Sequence, residues 1–140
     1  MYPGKLVGPS SKIFISYAHV DGVTLAQRLH ADLRGAGFDP WLDTVRIQGG
    51  ASWTRHIESA LDDCEVALAL LTPGSYRSDI CRAEQLRALR KRKTVIPILA
   101  QPGTDIPLHL ESKHYRDAAS PQFFVQLLAD IGARVGVELR

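Results

Sequence analysis

Apolar residues fall into two alternating rhythms along this chain. Lys12–Tyr17, Phe38–Leu42, Val66–Leu71 and Thr94–Leu99 are short β-rich runs, and between them apolar positions recur every three or four residues. The first such stretch carries Leu25, Ala26, Leu29 and Leu33, which predicts a helix with Asp21 as its N-cap and Gly35 and Gly37 as its stop. A second helix starts at Ser52, with Trp53, Ile57 and Leu61 on one stripe. Thr72-Pro73-Gly74-Ser75 reads as a turn, and Ser78 as the N-cap of a helix running to about Lys93. Gln101 to Leu108 contains Pro102, Gly103 and Pro107 and reads as loop. His114–Asp117 predicts a short fifth strand, and Ser120 to about Val135 a closing helix with Phe124, Leu127, Leu128 and Ile131 inward.

Val66–Leu71 is apolar at every position, the pattern of a strand covered on both faces. Pro40 assigns Phe38–Leu42 to a sheet edge, because proline donates no ladder bond. Strands alternating with helices, joined by right-handed crossovers, predict a three-layer α/β sandwich around a central parallel sheet of about five strands. Ligands of such sheets bind at the carboxyl ends of the strands. That edge holds Ser16-Tyr17-Ala18-His19, Asp43, Thr72 to Ser75, Gln101 and Asp117. Gly49-Gly50 makes Asp43–Ser52 a mobile loop beside them.

A length of 140 residues suits one domain, reached after a lead-in at 1–11 and followed by a tail at 137–140. The longest aliphatic run has six residues, Val66–Leu71, against the roughly 20 that a membrane helix needs, and the N-terminal residues do not read as a secretion signal. Two cysteines, Cys64 and Cys81, are too few for a disulfide framework and suit a reducing cytoplasm. The net charge is +2, but Arg82–Lys93 alone holds six basic residues and one acidic. Such a stretch can attract nucleic acid; few aromatics accompany it, and cations also favour a helix C-terminus, so nucleic acid ranks last among the partners.

Several chemistries are excluded by their missing motifs. No G-x-G-x-x-G follows the first strand and no G-x-x-x-x-G-K-[ST] occurs, against a dinucleotide dehydrogenase or a P-loop NTPase. A phosphoacceptor receiver needs paired acids after the first strand and an Asp after the third, where this chain has Ser16-Tyr17 and Thr72-Pro73. The five histidines are scattered, so no closed zinc site is expected and no metal is assigned. No G-x-S-x-G elbow supports a serine hydrolase.

Phe14-Ile15-Ser16-Tyr17 with Asp21, Gly37-Phe38-Asp39-Pro40-Trp41-Leu42-Asp43, and Gly50 with Trp53 form an ordered set. Leu71-Thr72-Pro73-Gly74-Ser75-Tyr76 follows, with Ser78, Cys81 and Glu84. Together they resemble the TIR (Toll/interleukin-1 receptor) domain family over about residues 12–136. The resemblance implies a flavodoxin-like sandwich. It also makes Asp43–Ser52, with Arg46, Ile47, Gly49 and Gly50, the loop through which one copy docks on another. TIR domains divide into scaffolds that bind one another and enzymes that cleave NAD+. The enzymatic branch is similar in a pattern near S-x-W-C-x-x-E, which here reads Ser78-Asp79-Ile80-Cys81-Arg82-Ala83-Glu84, with Ile80 where the pattern has an aromatic.

The resemblance thus implies a cytoplasmic NAD+ glycohydrolase releasing nicotinamide and ADP-ribose or a cyclic isomer. NAD+ is its substrate and no cofactor is needed. Self-association would activate it, with a sensor domain or protein outside this chain, in immune defence. The alternative is a non-catalytic TIR scaffold. Glu84 would be the catalytic carboxylate, since cleavage places positive charge on the ribose while nicotinamide leaves neutral. Ser16, Tyr17, His19, Asp43, Trp53 and Ser78 are the candidate substrate contacts. Each also has a structural use: strand-end hydrogen bonding for Ser16, packing for Trp53 and capping for Ser78.

Overall fold

The computed structural model describes residues 11–42 and 52–135. Five strands form one wholly parallel sheet: β1 (Lys12–Ser16), β2 (Asp39–Leu42), β3 (Val66–Leu71), β4 (Thr94–Leu99) and β5 (Arg116–Asp117). The spatial order is β2-β1-β3-β4-β5. Helices α1 (Val23–Gly35), α2 (Ser52–Asp63), α3 (Pro73–Arg77) and α4 (Asp79–Arg90) fill the crossovers between the first four strands, and α5 (Phe123–Val135) follows β5. The expected flavodoxin-like α/β sandwich is the fold found. β2 is an edge strand, as Pro40 required.

The period-2 alternation of the strands divides the core into two layers. Ile13, Ile15, Leu68, Leu70, Ile96 and Ile98 pack on one face under α1 and α5. Phe14, Ala67, Ala69, Leu71 and Val95 pack on the other under α2 and α4, where Trp41 stacks on Phe14 at 5.0 Å. Every residue of β3 is buried, because the central strand has a helical layer on each side. β4 also contains a proline, yet β5 pairs only with Ile98 and Leu99, leaving Pro97 outside that ladder.

Three local expectations are corrected. Asp21 does not cap α1: Gly22 occupies the N-cap without a side-chain bond, and the Asp21 carboxylate is used elsewhere. Thr72–Ser75 is no simple turn, since Pro73 begins the five-residue α3. The Thr72 hydroxyl accepts from the Ser75 N–H at 3.1 Å, and the Thr72 N–H donates to Ser75 Oγ at 3.0 Å, a capping box followed by proline at the first helical position. Finally, α4 stops at Arg90 rather than Lys93. Lys93 N–H donates to the Ala88 carbonyl and Arg92 N–H to that of Leu89, with Arg92 left-handed at φ 60°. Gly37, at φ 98°, closes α1 in the same way.

Candidate active site

The carboxyl edge of the sheet brings together residues far apart in the chain. Ser16, the last residue of β1, is 2% exposed and its Oγ donates to Glu84 Oε1 at 2.7 Å. Glu84 lies in the second turn of α4 and is 4% exposed. Helical spacing explains its burial. Cys81 and Ala88, three residues before and four after, are fully buried on the face that α4 presents to the sheet, and Glu84 travels with them. A carboxyl so placed loses most of its hydration, and the Ser16 hydroxyl offsets part of that loss.

α4 is started by Ser78, whose Oγ accepts from the Cys81 N–H at 3.1 Å. The preceding α3 is fixed to the loop after β1. Asp21 accepts from the Thr72 hydroxyl at 2.6 Å and from the Gly74 N–H at 2.8 Å, joining the two loops at the carboxyl edge. A Cβ on Gly74 would sit 2.5 Å from Asp21 Oδ1, so glycine is what permits this approach. Within the same β1–α1 loop, Tyr17 is buried and stacks on half-buried His19, with ring centroids 4.9 Å apart.

A cleft of about 420 Å³ runs between α2 and α4, and Glu84 is among its lining residues together with Trp53, Ile57, Ile80 and Ala83. Half-buried Trp53 also packs against the core layer beneath α2. Of the candidate contacts, Ser16 meets Glu84 directly and Trp53 shares its cleft, Tyr17 and His19 pair with each other, and Ser78 caps the helix. Asp43 and the assembly residues Arg46, Ile47, Gly49 and Gly50 lie outside the described residues.

Two further polar residues of the region were not singled out from the sequence. Gln85, 3% exposed and adjacent to Glu84, meets His109 Nε2 through its Oε1 at 2.8 Å. An amide oxygen only accepts, so His109 donates from Nε2. Burial, and then the charge of Arg82, pushes the His109 imidazole below the ordinary histidine value. The tie fastens α4 to the 3-10 turn Leu108–Leu110, and only the fold brings the two residues within reach. The cysteines are buried, and burial pushes the Cys64 thiol up to about 11, which suits packing rather than nucleophilic chemistry. Among the described residues no cluster of three His, Cys, Asp or Glu is arranged to hold a metal ion, and no helix is long and apolar enough to cross a membrane.

The architecture defines a flavodoxin-like α/β domain with a buried carboxyl–hydroxyl pair at the end of its first strand. Residues 13–128 match the TIR domain family, and the chain belongs to that family. Over 88 residues it is 33% identical to a Brachypodium distachyon protein named "Probable 2' cyclic ADP-D-ribose synthase BdTIR". That alignment takes in 62% of this chain, which spans 39% of the relative's length. Among solved structures, the TIR domain of the Toll-related receptor TRR-2 from Hydra magnipapillata superposes with a TM-score of 0.73 at 24% identity, covering 85% of this chain and 96% of that one. The CMP N-glycosidase BcmB of Clostridium botulinum gives 0.63 at 19% identity, over 86% of this chain and 99% of that one. These two likenesses concern the fold.

Proposed function

We propose that this TIR domain is an NAD+ glycohydrolase, cleaving the nicotinamide–ribose bond with Glu84 as its catalytic carboxylate. The observation that carries the reading is the Ser16–Glu84 pair, held at the carboxyl edge of the sheet with Glu84 lining the α2–α4 cleft. The name of the plant relative, a probable cyclic ADP-ribose synthase, supports the reading, since a cyclic ADP-ribose is one product of this reaction.

The substrate dictates why one carboxylate suffices. As the bond between C1′ and the pyridinium nitrogen breaks, its electron pair goes to the ring and nicotinamide leaves neutral, so no general acid is required. Positive charge develops on the ribose, and an anion beside it is favoured more in the transition state than in the ground state. Ser16 donates to that anion and fixes its direction, which lowers the reorganisation needed as charge appears. Water then attacks C1′ and loses a proton to give ADP-ribose; attack by a hydroxyl of the substrate itself gives a cyclic isomer. Trp53 offers a flat face for the leaving ring, on the opposite wall of the cleft from Ile80.

TIR–TIR contact through the 43–52 loop, a cytoplasmic setting and a part in immune defence complete the proposal. Purified chain incubated with NAD+, alone and with a crowding agent, is expected to release nicotinamide, with activity per subunit rising with protein concentration. Glu84→Ala should abolish the release. Undiminished release by that variant would remove Glu84 from the mechanism. A folded, assembled wild type that releases none would leave the scaffold reading, which Ile80 in place of an aromatic favours.

A further inference from the structure

Four residues of α4 follow one stripe along the cleft at helical spacing: Ile80, Glu84, Arg87 and Arg90. At 1.5 Å of rise per residue, Arg90 lies about 15 Å along the axis from Ile80 and about 9 Å from Glu84. The cleft is therefore chemically ordered, with Ile80 toward one end, the carboxyl between, and two guanidinium groups toward the other.

Those two cations differ in what they already hold. Arg87 binds Asp62 through two hydrogen bonds, at 3.1 and 2.9 Å, and has Glu58 at 3.8 Å. Lys91 approaches Asp62 as well, at 4.0 Å. Glu58 and Asp62 of α2 are thus met by Arg87 of α4 and by Lys91 just beyond its end. The Arg90 side chain has no hydrogen bond or ion pair among the described residues, and it is exposed. The uncompensated positive charge of the cleft sits on the side of Glu84 away from Ile80.

We propose that Arg90 binds a phosphate of the substrate, so that the cleft selects N-ribosyl pyridinium compounds carrying a 5′-phosphate over the bare nucleoside. This rests on the NAD+-cleaving reading and assigns the direction in which the substrate lies. The pyridinium ring faces Ile80 and Trp53, the ribose sits at Glu84, and the phosphate reaches toward Arg90. The span from Glu84 is one that a ribose and its 5′-phosphate bridge once the reach of an arginine side chain is added. A guanidinium is suited to the task, being permanently charged and able to give two parallel N–H bonds to phosphate oxygens. Lys91 and Lys93, just past the end of the helix, are already turned toward Asp62 and lack that freedom.

The test compares NAD+, nicotinamide mononucleotide and nicotinamide riboside as substrates for the full chain and for Arg90→Ala and Arg90→Lys. Arg90→Ala is expected to raise KM about tenfold for the two phosphorylated substrates, the scale of one charge-assisted hydrogen bond, with kcat unchanged. The riboside should be processed alike by all three proteins, and with the phosphorylated substrates Arg90→Lys should recover part of the loss. Equal effects on all three substrates, or none on any, would overturn the assignment. Calorimetric binding to the inactive Glu84→Gln chain separates this proposal from the catalytic one. Mononucleotide affinity that falls with Arg90→Ala, against an unmoved riboside affinity, supports the phosphate site even without turnover. Affinities that are equal with and without Arg90 refute it.

Discussion

Replacing Ser16 by alanine removes one oxygen from a place where water cannot easily substitute for it. Donor and acceptor are 2% and 4% exposed and 2.7 Å apart, joined across 68 positions of sequence. A hydrogen bond to a charged group contributes about 1.5–3 kcal/mol, and the alanine leaves almost no cavity, so the loss is expected at about 2 kcal/mol. For a domain of this size that corresponds to a fall in Tm of about 6–8 °C. The same substitution made in a Glu84→Ala background should cost under about 0.5 kcal/mol, because the acceptor is already gone. Urea unfolding followed by tryptophan fluorescence and by far-ultraviolet circular dichroism measures all four corners of the cycle, and coincident transitions license the two-state treatment. A Ser16→Ala penalty of equal size in both backgrounds would refute the coupling. Ser16 would then be a strand-end residue, with no part in directing the carboxylate.

Two further outcomes follow from the neighbouring contacts. His109 is held below the histidine reference of 6.5 in the folded chain by burial and then by Arg82. Its neutral form thus stabilises the fold above about pH 6.5, and that contribution is lost as pH falls through the lower native value, since the unfolded chain takes up the proton first. Unfolding free energies measured from pH 7.5 to 5 should fall less steeply for His109→Gln, and identical slopes would contradict the assignment. Asp21→Ala and Gly74→Ala each break the same tie between the β1–α1 loop and α3, one by removing the acceptor and one by crowding it. Each should cost about 1–2 kcal/mol in urea unfolding, and the double variant little more than either; full additivity would show that the two act separately.

What the sequence disclosed follows the range of the forces concerned. Val66–Leu71 announced a central strand because burial on both faces needs no knowledge of which helices supply it. Ser78 was legible as a cap because its acceptor and the Cys81 N–H are three residues apart. The short α3 was not, since Pro73-Gly74 has the composition of a turn and only the Thr72–Ser75 exchange of bonds shows a helix starting. Asp21 looked like the cap of α1 for the same local reason, yet its partners lie 51 and 53 residues away. Glu84 could be proposed from its motif, whereas its burial beside Ser16 and the Gln85–His109 tie are products of the fold.

The two rims of the sheet constrain how copies of this domain can join. One ends in a four-residue strand interrupted by Pro40, the other in the two-residue β5. Among the described residues, neither offers the run of free amide and carbonyl groups on which a second sheet could extend. A polymer of this domain would accordingly be held together side chain to side chain, leaving each subunit's ladder closed on itself and its assembly reversible without unfolding.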